Sequence, residues 1–159
     1  MLNTIIRTVA GVLLLASLTA FAADNANQKL NFQVQPFVNI TVADASLTLV
    51  ITSIPQGNQG EATASSSYAL VNNVPGKKIT ANLDTDMPQA TTLWLAAEEP
   101  TVSRPLGSKI NLSTNPKTVA REVGSVNQAG FGLYYSFKAT EFASTSPFVR
   151  TVTYTVLND

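Results

Sequence analysis

The sequence predicts an all-β protein, an immunoglobulin-like antiparallel β-sandwich of about 7–9 strands. Three observations carry this expectation. Apolar residues recur at every second position along several stretches, Pro- and Gly-containing turns separate those stretches, and beyond the first 22 residues no segment has the 3.6-residue period of an amphipathic helix.

The chain opens on a different pattern. Met1–Arg7 carries one positive charge, Arg7, and the run Thr8–Phe21 is apolar over 14 residues, shorter than the ~20 that a membrane-spanning helix needs. Ala20-Phe21-Ala22 has the small-x-small form that signal peptidase cleaves. The expected organisation is therefore a secretory signal peptide over 1–22, removed after Ala22, and one β-sandwich domain over 23–159. Residues 23–35 form a candidate N-terminal extension or donor strand.

From Leu30 to Val42 the even positions are Leu30, Phe32, Val34, Pro36, Val38, Ile40 and Val42, and all odd positions except Phe37 are polar. This is a long extended segment with one apolar face, broken or placed at an edge by Pro36, which has no N–H to donate. Ser46–Ser53 repeats the pattern on Leu47, Leu49 and Ile51 and predicts a second strand. Pro55–Ser67 is rich in breakers and small polar residues and is expected to be an exposed loop. Ser67–Asn73 and Lys77–Leu83 flank Val74-Pro75-Gly76, a turn signal that predicts a hairpin.

Asp84–Gln89 reads as a turn stopped by Pro88, and Thr91–Ala97 as a strand with Leu93 and Leu95 on one face and Trp94 on the other. Glu98–Lys117 holds Pro100, Pro105, Gly107 and Pro116 and predicts a loop with an edge strand over Lys109–Leu112. Thr118–Val126 reads as one short strand or a helical turn, the strand being favoured. Gly130–Ala139 sets Phe131, Leu133, Tyr135 and Phe137 on one face, and Gly130-Phe131-Gly132 reads as a bend or bulge. Phe148–Leu157 closes the chain with Val152, Tyr154 and Val156 inward.

Composition removes most catalytic chemistry. There is no Cys and no His among the 159 residues, so a Ser-His-Asp triad, a Cys-His nucleophile and the ordinary zinc, haem and iron–sulfur ligand sets are excluded. No Gly-x-Ser-x-Gly elbow offers a nucleophile. The expectation is a protein that is not an enzyme and takes no cofactor or metal. Ten Lys and Arg balance ten Asp and Glu, which leaves no basic field for nucleic acid. Absence of Cys in an exported chain leaves stability to packing and backbone hydrogen bonds.

Several residues qualify as candidates on type alone. Asp84 and Asp86 alternate as calcium ligands often do, but the loop has no further acidic residue, and they read as turn residues. Glu98 and Glu99 are adjacent and, as strand neighbours, point apart, so they do not form a glycosidase pair. Lys77, Lys78 and Arg104 read as surface charges. Trp94, Tyr134 and Tyr135 are the residues able to stack on a sugar, although Tyr134 and Tyr135 must lie on opposite faces of one strand. Trp94 is kept as a candidate binding surface, with a glycan as its ligand. Leu30, Phe32 and Val34 are a candidate strand-exchange interface, able to pair with a neighbouring copy by strand addition. The alternative reading makes the same segment the first strand of a closed monomer whose groove Phe148–Leu157 already fills.

Lys77-Lys-Ile-Thr-Ala-Asn-Leu-Asp84, Asp86-Met-Pro88, the loop to Leu112-Ser-Thr114 and Arg150-Thr-Val-Thr-Tyr-Thr-Val156 resemble a group of uncharacterised exported Gram-negative β-sandwich proteins. Those are similar in turn to fimbrial subunits of chaperone-usher pili. The resemblance spans most of Ser46–Asp159, and the chain differs from many pilus subunits in having no disulfide pair. It implies a structural, assembling protein of the periplasm or cell surface, concerned with pilus structure and cell adhesion. Its partners would be further copies of itself or a periplasmic chaperone, with no nucleic acid and no membrane span after signal cleavage. The rival expectation is a monomeric secreted binding module for a glycan or a protein.

Overall fold

Strands form mostly where alternation lets one face turn apolar, and there are eight among the described residues. The computed structural model describes residues 27–101 and 103–159; the expected signal peptide lies outside them. The chain divides into two units, Met1–Gln33 and Val34–Asp159, and the sandwich belongs to the second. In the first, the described residues 27–33 carry no strand or helix and are exposed.

The strands are β1 (Val38–Val42), β2 (Gln59–Asn72), β3 (Lys77–Leu83), β4 (Thr91–Ala97), β5 (Ile110–Asn111), β6 (Lys117–Val123), β7 (Val126–Thr140) and β8 (Val152–Asn158). They build two antiparallel sheets, a five-stranded one in the order β1-β2-β7-β4-β5 and a three-stranded one in the order β6-β3-β8. No helix occurs among the described residues. The all-β, two-sheet architecture is the one the periodicity predicts.

The core lies between the sheets. Leu70, Leu93, Leu95, Phe131 and Leu133 enter it from the larger sheet, and Ile79, Ala81, Leu83, Ala120 and Val123 from the smaller. Phe131 is fully buried, its ring 5.2 Å from that of Tyr68. The Tyr135 and Tyr154 hydroxyls meet across the sheets at 2.6 Å, so two polar groups carried into the interior satisfy each other. Burial raises the Tyr154 pKa strongly and keeps it a neutral phenol.

Four expectations need correction. Glu61–Ser67 is not a loop but the middle of the 14-residue β2. Its Ser, Thr and Ala side chains alternate between faces, and pairing with β7 holds them extended without a large apolar residue. The hairpin around Val74-Pro75-Gly76 does not pair its arms. β2 bonds to β1 and β7, β3 to β6 and β8, and the turn is a crossing between sheets. The buried Asn72 fixes that crossing, its amide donating to the Val74 and Gly124 carbonyls and its Oδ1 accepting from Val74 N–H. Gly76 takes φ 73° there, where a side chain would be strained.

Leu30–Val42 is a strand only over Val38–Val42. Before Pro36 the ladder is replaced by Asn73, whose side chain bonds Phe37 N–H and the Gln35 carbonyl. Ser46–Ser53 keeps the expected alternation, with Leu47 and Leu49 packed on the core, but enters no ladder. The bulge expected at Gly130 is present. Tyr68 faces Phe131 while Leu70 faces Gln128, one extra residue on β7, with Gly130 at φ 79°.

Candidate functional site

Among the described residues the smaller sheet ends on β8, which pairs there with β3 alone. Asp84 N–H bonds the Thr151 carbonyl and Asp159 N–H the Gly76 carbonyl, so odd-numbered positions of this strand bond inward to β3. In an antiparallel ladder the intervening residues then direct their N–H and C=O groups away from β3. For β8 these are Val152, Tyr154 and Val156. Their backbone groups form an open edge, which corrects the expectation that Phe148–Leu157 fills the groove. Its first part, Phe148–Thr151, is not strand.

Among the described residues the larger sheet ends on β1, which pairs there with β2 alone. β1 and β8 come into contact without pairing, so two strand edges share one margin of the sandwich. The side chains there are incompletely covered. Ile40 packs on the core, but Val38 and Val42 on the same face are 42% and 39% exposed. Val152, Tyr154 and Val156 face inward beside Leu83, Ala81 and Ile79, which are buried, yet they remain half-buried themselves. An apolar row flanked by unpaired backbone is the arrangement that an added strand completes.

The extended Ser46–Ser53 segment continues from β1. Ala43 N–H makes the last bond to β2, at the Ser67 carbonyl, and thereafter side chains hold the chain. A Cβ at Gly60 would collide with the Ile51 side chain and lie 2.9 Å from Ile54 Cγ1, so glycine at the start of β2 is what lets this segment lie close.

Of the strand-exchange candidates, Leu30 is 62%, Phe32 88% and Val34 79% exposed, three apolar side chains at alternate positions facing solvent. Trp94 points to the outer face of the larger sheet, as its alternation predicts. Its indole N–H donates to Thr92 Oγ1 at 3.2 Å, and in register it faces Ser136 and Asn111. Tyr134 shares that face and Tyr135 the core.

The other candidates are structural. Asp84 accepts from Thr151 N–H at 3.0 Å and Thr85 N–H at 2.8 Å, and Asp86 accepts from Thr114 N–H at 2.8 Å. These bonds hold both carboxyls below their ordinary pKa, the Thr151 bond acting most on Asp84 and the Thr114 bond on Asp86. Their folded pKa values lie below the unfolded ones, so their contribution is complete above the ordinary carboxylate range and fades as pH falls through the depressed values, below about pH 4. Asp84→Asn is expected to be less stable at neutral pH and to have a shallower acid limb in urea titrations repeated from neutral to acidic pH.

Glu98 is not a free loop end. Its Oε2 accepts from Gly132 N–H at 3.0 Å and its Oε1 from the Tyr134 hydroxyl at 3.2 Å. Arg104 is not an ordinary surface charge. Its guanidinium stands 4.8 Å over the Phe131 ring and donates to the Ala129 and Gly130 carbonyls, closing the bulge.

Among the described residues no group of three or more His, Cys, Asp or Glu side chains is placed to hold a metal ion, and no helix is long and apolar enough to cross a membrane. Sequence reading missed the open margin, because whether a strand has a second partner is a property of topology. No family model matches the chain, and no match is found among curated proteins.

Proposed function

We propose that this protein is a non-catalytic, exported structural subunit that assembles by β-strand addition, the segment Leu30–Val34 of one copy completing the β1–β8 margin of the next. One observation carries the reading: the edge of β8, unpaired among the described residues, runs beside inward-facing apolar residues that are only half-buried. Val38, Val42, Val152, Tyr154 and Val156 supply the apolar row, and Leu30, Phe32 and Val34 supply side chains of matching period. Main-chain hydrogen bonds give such a contact its affinity, and the alternate side chains its register.

The contact is head-to-tail, since donor and acceptor are different surfaces of the chain, and repeating it gives a filament. An uncovered margin of this kind also invites premature pairing in the periplasm. A chaperone that lends an extended strand of its own is the partner that would prevent it. The secretory leader read in 1–22 supports the same compartment.

The test is removal of residues 23–35 from the mature chain. The intact chain should form concentration-dependent polymers by light scattering, and the shortened one should remain monomeric with the same β-type circular dichroism. Monomers from both, or polymers from both, would reject the reading.

A further inference from the structure

Away from the open margin, the outer face of the five-stranded sheet carries a shallow depression of about 410 Å³ lined by Glu61, Thr63, Ser65, Lys109, Tyr134 and Ser136. Cross-strand register assembles it. Thr63 faces Ser136, Ser65 faces Tyr134, and Glu61 faces Lys138. Tyr134 forms one wall in an unusual pose. A Cβ on Gly132 would lie 2.6–2.7 Å from the Tyr134 Oη, Cζ and Cε2 atoms, so the ring leans along β7 over the glycine and lies against the sheet. Glu98 holds its hydroxyl there, and the side chain is still 44% exposed.

Farther along the depression, past Ser136, Glu61 is held by the Ser136 hydroxyl, with Lys109 and Lys138 each 3.9 Å from its carboxylate. The Ser136 bond, more than either lysine, keeps the Glu61 carboxyl below its ordinary pKa. The site thus offers an ionised acceptor, ammonium and hydroxyl donors, and an apolar aromatic surface within one open hollow.

We infer that this depression binds a pyranose unit of an oligosaccharide, with the Tyr134 ring against an apolar face of the sugar, Glu61 accepting from its hydroxyls and Lys109 donating to them. Other ligand classes fit less well. The negative charge of Glu61 between the two lysines opposes a phosphate or sulfate. The surrounding backbone is committed to the β2–β7–β4 ladders, which leaves no edge for a peptide strand. A volume at the low end of the ~300–1,000 Å³ of small-molecule sites, open to solvent, suits one or two polar rings better than an apolar ligand.

Saturation-transfer NMR of the mature chain with glucose, galactose, mannose and N-acetylglucosamine, and with their disaccharides, tests this. Transfer to the ring protons of at least one sugar is expected, together with its loss in Tyr134→Ala. Glu61→Gln, which keeps the side-chain shape, should weaken binding roughly tenfold while the chain stays folded with only a small fall in unfolding temperature, the effect of losing a hydrogen bond to a charged group. Trp94→Ala should change affinity less than Tyr134→Ala does, because the indole does not line the depression. No transfer to any sugar, equal transfer from wild type and Glu61→Gln, or a loss in Trp94→Ala as large as in Tyr134→Ala would overturn the assignment. None of these outcomes bears on assembly, which uses a different surface.

Discussion

Replacing Leu30, Phe32 and Val34 together by Asp is expected to convert an assembling chain into a monomer. Each of these side chains is mostly exposed in the isolated copy and would be buried in the neighbour's margin, a gain of about 1.5–3 kcal/mol apiece. Three of them supply roughly 5–9 kcal/mol, and at about 1.4 kcal/mol per tenfold their loss weakens association by a factor of a thousand or more, before the cost of burying charge. The intervening residues point the other way in an added strand. Asn31→Ser with Gln33→Ser should therefore leave assembly within a fewfold of wild type. Sedimentation velocity over a concentration series distinguishes the two variants. Polymers from the triple Asp chain, or equal loss in both, would show that alternation in this segment does not set the contact.

The largest expected loss of stability follows Phe131→Ala. The side chain is fully buried, stacked obliquely on Tyr68 at 5.2 Å and capped by Arg104 at 4.8 Å. Truncation removes the ring's transfer free energy and leaves a cavity that two sheets held by ladders cannot close, about 3–5 kcal/mol in total. Against the ~5–15 kcal/mol of an ordinary domain this approaches unfolding. Urea denaturation should show a markedly lower midpoint with an unchanged slope. Val149→Ala, at a position 84% exposed, should fall within about 0.5 kcal/mol of wild type. A Phe131→Ala midpoint close to that of Val149→Ala would mean that the inter-sheet core does not hold the fold.

Period-two patterning was enough to place β3, β4, β7 and β8 and to orient their side chains, because each has large apolar residues on one face. It failed at β2, where Thr63, Ser65, Ala62 and Ala64 give little contrast and the long ladder with β7 decides the conformation. It also could not say that β2 and β3 belong to different sheets. A Pro-Gly turn reports a change of direction, and only the competition among all strands for partners decides whether its arms meet. The candidate margin was half legible. The donor-like alternation of Leu30, Phe32 and Val34 is plain in the sequence, whereas the open flank of β8 depends on a partner being missing. The hollow on the outer face was least legible, since Glu61, Lys109 and Tyr134 are far apart in the chain and converge only through register.

The bulge opposite Tyr68 and Leu70 has a further consequence for how this chain tolerates change. Before it, β7 turns Val126 toward the core, an even position, and after it Phe131, Leu133 and Tyr135, which are odd. One added residue thus reverses the parity of the strand midway. A one-codon deletion at Ala129 or Gly130 would remove the bulge and bring the core-facing positions on its two sides, Val126 before it and Phe131, Leu133 and Tyr135 after it, into one unbroken alternation in the same register with β2. At that spot the strand can shed a residue without turning its apolar face outward, whereas a one-codon deletion within Leu133–Phe137, where pairing is one to one, would carry the residues beyond it to the opposite face.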